Sequence, residues 1–231
     1  MTACVTGMTS FPRCDAFPAS HAPLEAAACG HWTSRPGRWS PATRRPVTLP
    51  PPPPSPIPPR VRLRDWTDLD LAAFTRMNAD PKVMRFFPAM LSAEESRASY
   101  FRIRSAFEAR GWGLWAVATD GRFAGFTGLA EPAFRAPFTP CVEIGWRLRR
   151  EFWGRGVAFT AATQAIDHAF TRLRLPELVS FTSVHNLRSR TLMERLDFTH
   201  NPLEDFDHPS LQAGSPLRRH VLYRMPADAP V

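Results

Sequence analysis

Proline divides this chain. Of its 25 prolines, 14 fall in residues 1–59, and Pro50 to Pro54 run unbroken. Proline fixes φ and removes a backbone donor, so this stretch cannot build a helix or a sheet of any length. It shows neither helical nor strand periodicity. It reads as a disordered extension, with a short stiff polyproline II segment from Pro50 to Pro59. A mis-assigned start codon is the alternative reading. The next methionine after Met8 is Met77, too far in to spare the first strand, so a true start needs a non-ATG codon, with Val47 as one position. The folded part is therefore expected over residues 60–231, the size of one ordinary domain.

Within those residues the periodicity alternates between two and 3.6. "RVRLRDW" reads as a strand and "DLDLAAFTRMN" as a helix with acids in its first turn. "SAEESRASYFRIRSAFEARG" begins with Ser92 and Glu95 at capping-box spacing and ends at Gly111, a natural helix stop. "GLWAVATDGRFAGFTGLA" places Asp120-Gly121 between two strands, the signal of a two-residue type I′ hairpin. "CVEIGWRLR" is another strand, followed by a helix from Gly156 to about Leu173. Then come a strand in "ELVSFTSV", a helix in "NLRSRTLMERL", and final strands in "FTHNPLE" and "RHVLYRM" around a loop rich in acids, His and Pro. The order β-α-α-β-β-β-α-β-α-β-β argues for an α/β (α+β) domain with a mixed sheet and helices on both faces.

Composition narrows the function classes. Hydrophobic residues make up 44% of the chain, enough for a substantial core. No apolar run reaches the roughly 18–20 residues that cross a membrane. The N-terminus lacks a compact charged head followed by an apolar stretch. The expectation is a cytoplasmic protein with no membrane partner. Net charge is +8, and Lys82 is the sole lysine among 29 Lys and Arg residues. That skew reads as codon bias, and with no block of like charges, no nucleic-acid partner is expected. Cys4, Cys14, Cys29 and Cys141 show no Cys-x-x-Cys spacing, so neither a disulfide framework nor a metal site is expected.

The most informative stretch is "REFWGRGVAF", Arg150 to Phe159. Gly154 and Gly156 bracket Arg155 between the end of a strand and the start of a helix. The first N–H groups of a helix lack intrahelical partners, and its dipole puts partial positive charge there. A strand, a glycine turn and a helix N-terminus together suit an anion such as a pyrophosphate. The pattern is neither a Walker loop nor a dinucleotide fingerprint, because Phe159 stands where the third glycine would be. On spacing alone, a plain tight turn remains an equal reading.

"EIGWRLRREFWGRGVA" followed by "LVSFTSVHNLRSRTLMERLDF" resembles the GNAT acetyltransferase superfamily, and most closely its RimJ/RimL-type branch, which acetylates protein N-termini and related amines. Glu151 to Gly156 matches that family's pyrophosphate loop except at its first position, and Asn186 and Ser189 match its Asn-x-x-Ser motif. The resemblance covers about residues 60–226. It implies a GNAT-like acyl-CoA N-acyltransferase fold with a mostly antiparallel sheet, and acetyl-CoA as co-substrate without a metal. It implies that Trp146 and Leu148 hold the pantetheine arm through their backbones. Backbone N–H groups of Arg155, Gly156, Val157 and Ala158 would hold the pyrophosphate, with Asn186 and Ser189 at the pantetheine or acetyl end. Asn186 is equally a favoured helix N-cap.

Acetyl transfer needs an acceptor for the amine proton and a donor for the leaving thiolate. Glu143, on the strand leading to the glycine turn, is the first candidate base, and Glu131 a weaker one. Ser189 is the candidate acid, because the Tyr that many members carry four residues on is Met193 here. Trp112, Phe206 and His208 are expected to rim the acceptor side, and His185 could touch the acceptor. The acids Glu204, Asp205 and Asp207 could attract a cationic amine. Asp197 stands where the branch has a helix-ending Gly. The expected activity is acetyl transfer to a primary amine, a protein N-terminus or a small molecule, by direct attack in a ternary complex. The alternative is a catalytically inactive CoA-binding or regulatory protein of the same fold. The oligomeric state, a homodimer included, is open.

Overall fold

The structure is a computed structural model and describes residues 60–227. The Pro-rich extension expected to be disordered, its polyproline segment, and Cys4, Cys14 and Cys29 lie outside the described residues.

The strands are β1 (Val61–Arg64), β2 (Leu114–Thr119), β3 (Arg122–Ala130), β4 (Glu143–Leu148), β5 (Glu177–Ser183), β6 (Thr199–His200), β7 (Phe206–Asp207) and β8 (Arg219–Pro226). The helices are α1 (Leu71–Asn78), α2 (Ala93–Arg110), α3 (Val157–Asp167) and α4 (Leu187–Arg195). The sheet order is β1-β2-β3-β4-β5-β8-β6, with β7 also on β8. All pairs are antiparallel except β4 with β5.

The turn and cap chemistry forms as the residue types dictate. Asp120 and Gly121 adopt φ of 50° and 74°, the left-handed pair that a type I′ hairpin needs. Ser92 Oγ accepts from the Glu95 N–H at 3.1 Å, and the Ser92 N–H donates to Glu95 Oε2 at 2.7 Å. Gly111 closes α2 in the left-handed conformation.

Two apolar layers sandwich the sheet. Trp66, Phe74, Met77, Tyr100, Phe123 and Phe126 pack under α1 and α2. Ile144, Trp146 and Leu148 of β4, Leu178 of β5, and the Ala-rich face of α3 pack on the other side with Leu192 and Met193 of α4. The helices thus cover both faces. Edge strand β1 is held from above by Gln164 of α3. Its Oε1 accepts the Leu63 N–H at 3.3 Å and its Nε2 donates to the Val61 carbonyl at 3.2 Å. This occupies backbone groups of an edge strand that could otherwise pair with another chain.

Three boundaries differ from the sequence expectation. The helix expected to reach Leu173 ends its regular turns at Asp167 and widens into a π-helical turn, His168–Arg172. The strand expected across "FTHNPLE" is only Thr199–His200. Pro202 has no N–H for the ladder, and Pro202–Glu204 forms a 3-10 turn capped by Asn201. Within the expected loop, Phe206–Asp207 pairs with β8, because the Phe206 ring packs on Phe181, 5.6 Å between centroids.

Candidate active site

Strands β4 and β5 separate almost as soon as they meet. Glu143 pairs with Val179, and no further β4 residue has a β5 partner. The Arg149 N–H donates to the Ala124 carbonyl at 2.8 Å, and the Val179 N–H to the Val142 carbonyl at 3.0 Å. Strand alternation then turns the odd-numbered backbone groups of β4 toward β3 and the even-numbered ones toward the gap. Ser180 Oγ donates to the Ile144 carbonyl at 2.9 Å, bridging the start of the gap. Trp146 is the first β4 residue whose N–H and C=O both face it without a partner among the described residues. At Leu148, the Trp153 indole N–H occupies the carbonyl at 2.9 Å, leaving only the Leu148 N–H to offer.

The gap runs toward the Gly-Arg-Gly turn. Gly154 and Gly156 have φ of 70° and 74°, a conformation that L side chains rarely adopt. A Cβ built at either meets no atom within 4 Å, so the space above both is open. Gly156 is the N-cap of α3, and no side chain caps it. The Thr160 N–H makes the bond to the Gly156 carbonyl at 3.0 Å, so those of Val157, Ala158 and Phe159 lack an intrahelical acceptor. Arg155 is exposed and enters no ion pair among the described residues. Arg188 lies over Trp153 at 4.9 Å and Arg195 over Phe159 at 5.0 Å. Glu151, the residue that departs from the family loop, is drawn to Arg149 at 2.6 Å and Arg122 at 3.5 Å. Open backbone donors surrounded by guanidiniums, with the nearby carboxylate already paired, favour an anion.

Asn186 and Ser189 come together at the start of α4. Asn186 is the N-cap: its Oδ1 accepts from the Ser189 N–H at 3.4 Å, and its Nδ2 donates to Ser189 Oγ at 3.0 Å and Thr182 Oγ1 at 2.9 Å. Both side chains are buried. Thr182 alternates with Val179 and Phe181, so this cluster lies on the α3/α4 face of the sheet. Glu143 points to the opposite face. The two candidate proton-transfer groups flank the gap from opposite sides.

Glu143 is 1% exposed, and neither carboxylate oxygen has a hydrogen-bond partner among the described residues. Burial pushes its carboxyl well above the usual range. Burial, and then the nearby Glu143, pushes the Cys141 thiol up to about 12, so it is a poor nucleophile. Perturbed, unpartnered carboxyls in a cleft mark functional sites.

The other candidates fall as follows. Glu131 is half-exposed and ion-paired with Arg110 at 3.0 Å. Trp112 packs with the α3-side core, not beside Phe206. His185 is exposed. Each acid of the run has a partner within the fold. Glu204 pairs with Arg224 at 2.8 Å, Asp205 with His200 at 2.7 Å, and Asp207 with Arg218 at 3.2 Å. Phe206 and His208 do gather beside β5, joined by residues the sequence did not single out: Phe134, Phe138, Phe181, Ser183 and His220. Their sequence signal is two Phe in a Pro-rich loop and one in β5, which periodicity cannot separate from core, and Ser183 and His220 carry none. Among the described residues, no group of three or more His, Cys, Asp or Glu could hold a metal ion. No helix among them is long and apolar enough to cross a membrane.

Comparison with known proteins identifies the family. Residues 60–199 match the model of the acetyltransferase (GNAT) domain. The chain is 30% identical over 132 residues to the FsC-acetyl coenzyme A-N(2)-transacetylase of Aspergillus fumigatus, covering 54% of this chain and 56% of that protein. An acetyltransferase structure from Agrobacterium tumefaciens superposes with a TM-score of 0.57 at 26% identity, over 73% of this chain and 94% of that one. The ribosomal-protein alpha-N acetyltransferase RimL, solved with coenzyme A, shares the fold with a TM-score of 0.58 at 19% identity, over 74% and 96%. The chain belongs to the GNAT acetyltransferase family.

Proposed function

We propose that the protein transfers an acetyl group from acetyl-CoA to a primary amine. The observation that carries this reading is the continuous track from the unpaired Trp146 backbone to the uncapped N-terminus of α3. A pantetheine amide matches the first, a pyrophosphate the second. The Trp146 N–H and C=O and the Leu148 N–H would extend β4 onto the pantetheine arm. The N–H groups of Arg155, Gly156, Val157 and Ala158 would hold the pyrophosphate, with Arg155 adding charge.

Acetyl-CoA supplies an activated acyl carbon. Glu143 receives the proton that the amine releases as it attacks, and its raised pKa makes it a stronger base for that task. Asn186 Nδ2 orients Ser189 Oγ, whose hydroxyl donates a hydrogen bond to the departing thiolate, and the thiolate then takes its proton from solvent. Met193, buried in the core, supplies no hydroxyl at the position four residues on.

Release of free thiol from acetyl-CoA, followed across a panel of primary amines, tests this. Amine-dependent thiol release is expected. Tight acetyl-CoA binding with no turnover of any amine would instead support the non-catalytic CoA-binding reading.

A further inference from the structure

Most buried polar groups in proteins are hydrogen-bonded. Here three without a partner cluster together, on the same sheet face as Glu143. Ser183 Oγ, His208 Nε2 and His220 Nε2 are all buried and unpartnered among the described residues. Ser183 sits directly across from His220 in the β5–β8 ladder. The His208 and His220 ring centroids are 5.0 Å apart. Aromatic rings enclose them: Phe134 lies 4.6 Å from His208, and Phe206 lies 5.6 Å from His220. Both histidines are 2% exposed and Ser183 is 1% exposed.

The hydrogen bonds that do exist fix each tautomer. The Ser210 N–H donates to His208 Nδ1 at 3.2 Å, so the neutral ring carries its hydrogen on Nε2. His220 Nδ1 faces the Arg218 carbonyl at 3.1 Å and must donate, so its Nε2 is a bare acceptor. The pair therefore presents one donor and one acceptor side by side, with the Ser183 hydroxyl able to play either part. Burial, then the neighbouring His220, lowers His208 to about 4, and burial lowers His220 also, so both rings are neutral.

We propose that Ser183, His208 and His220 form an acceptor subsite that binds an uncharged carboxamide carried at the far end of the amine substrate. A carboxamide carbonyl accepts from His208 Nε2, and its N–H donates to His220 Nε2. A polyamine has no acceptor for the His208 hydrogen, and its second cation would enter an apolar ring whose nearby acids already have partners, Glu204 and Asp207 in ion pairs with arginines and Asp205 hydrogen-bonded to His200. Glu143 lies level with Val179, and Ser183 is four residues further along β5, so the amine and the carboxamide stand about 13 Å apart at about 3.3 Å per residue. The proposal rests on the acetyltransferase reading and names its acceptor.

Thiol release with purified full-length protein tests it, using monoacetylated 1,8-diaminooctane, whose amide lies roughly 12 Å from its amine when extended. The controls are monoacetylated 1,4-diaminobutane, 1-aminodecane and 1,8-diaminooctane. The long monoacetylated diamine is expected to exceed each control at least about tenfold in kcat/KM, because a site built for hydrogen bonds rejects ligands that leave it unpaired. In H208L and H220L, KM for that amine rises about tenfold with kcat nearly unchanged, and acetyl-CoA binding by calorimetry stays as in wild type. Wild-type protein that uses all four amines alike overturns the subsite and leaves the acetyltransferase reading standing. A preference for 1,8-diaminooctane overturns it in favour of a cationic acceptor. Acetyl-CoA binding without turnover of any amine overturns both the subsite and catalysis.

Discussion

Glu143 puts a carboxyl into a part of the sheet where no described side chain bonds it, so its protonation state reports on both stability and activity. Its folded pKa is raised above its ordinary value of 4.5. Its contribution to stability is therefore complete below that value and is lost as pH rises through the folded pKa. Glu143→Gln is expected to raise Tm relative to wild type at neutral pH, with the gain vanishing near pH 4. The same variant should lose about a hundredfold or more in amine acetylation, and with it the rise of kcat/KM with pH. Thermal melts and rate profiles from pH 4 to 9 check both. An unchanged rate would remove Glu143 as the base. The sequence exposed Glu143 through strand alternation alone. It could not expose its lack of partners, which depends on what Ala130 and Val179, its neighbours on β3 and β5, bring to the pairing.

At the scale of elements, helix ends were the most legible feature because each is decided by a few adjacent residues. The Ser92–Glu95 box and the Gly111 stop are local chemistry, and so is the Asp120-Gly121 hairpin. Asp197 belongs here too. It ends α4 at φ 65°, with its own N–H donating to the Glu194 carbonyl at 3.1 Å and the Phe198 N–H to Met193 at 3.0 Å. That is a Schellman ending built on a residue with a side chain. Left-handed backbone costs a non-glycine residue about 1 kcal/mol. Asp197→Gly should therefore raise Tm by about 2–4 °C and leave acetyl transfer unaltered. A melting curve that shifts down contradicts this. By contrast, β7 and the shortness of β6 were not legible. Pairing of Phe206–Asp207 depends on an aromatic cluster assembled from β5, β8 and the β3–β4 loop, contacts far apart in sequence. The gap between β4 and β5 was equally hidden, since sheet register is a property of two strands together. What the sequence did carry was its consequence: two glycines at the end of β4 and a helix start with no capping side chain.

Over the whole molecule, buried histidines tie stability to pH. His208 and His220 have folded pKa values below their unfolded ones. The stability they contribute is present above about pH 6.5 and is lost as pH falls toward about 4, the folded value for His208. Tm should decline across that window, and the decline should be shallower in His208→Gln; parallel curves for the two proteins would contradict the assignment. Ligand binding provides the other coupling, because a molecule that binds only the folded state stabilises it. The central claim is that β4, the Gly-Arg-Gly turn and the α3 N-terminus form one acetyl-CoA track. Calorimetric titration of the full-length protein with acetyl-CoA tests it most directly, beside the double variant Gly154→Val, Gly156→Val, whose side chains occupy the open space above the turn and oppose its left-handed backbone. The account predicts micromolar binding by wild type and its loss in a variant that remains folded by circular dichroism. Equal binding by both proteins, or none by the folded wild type, would contradict it.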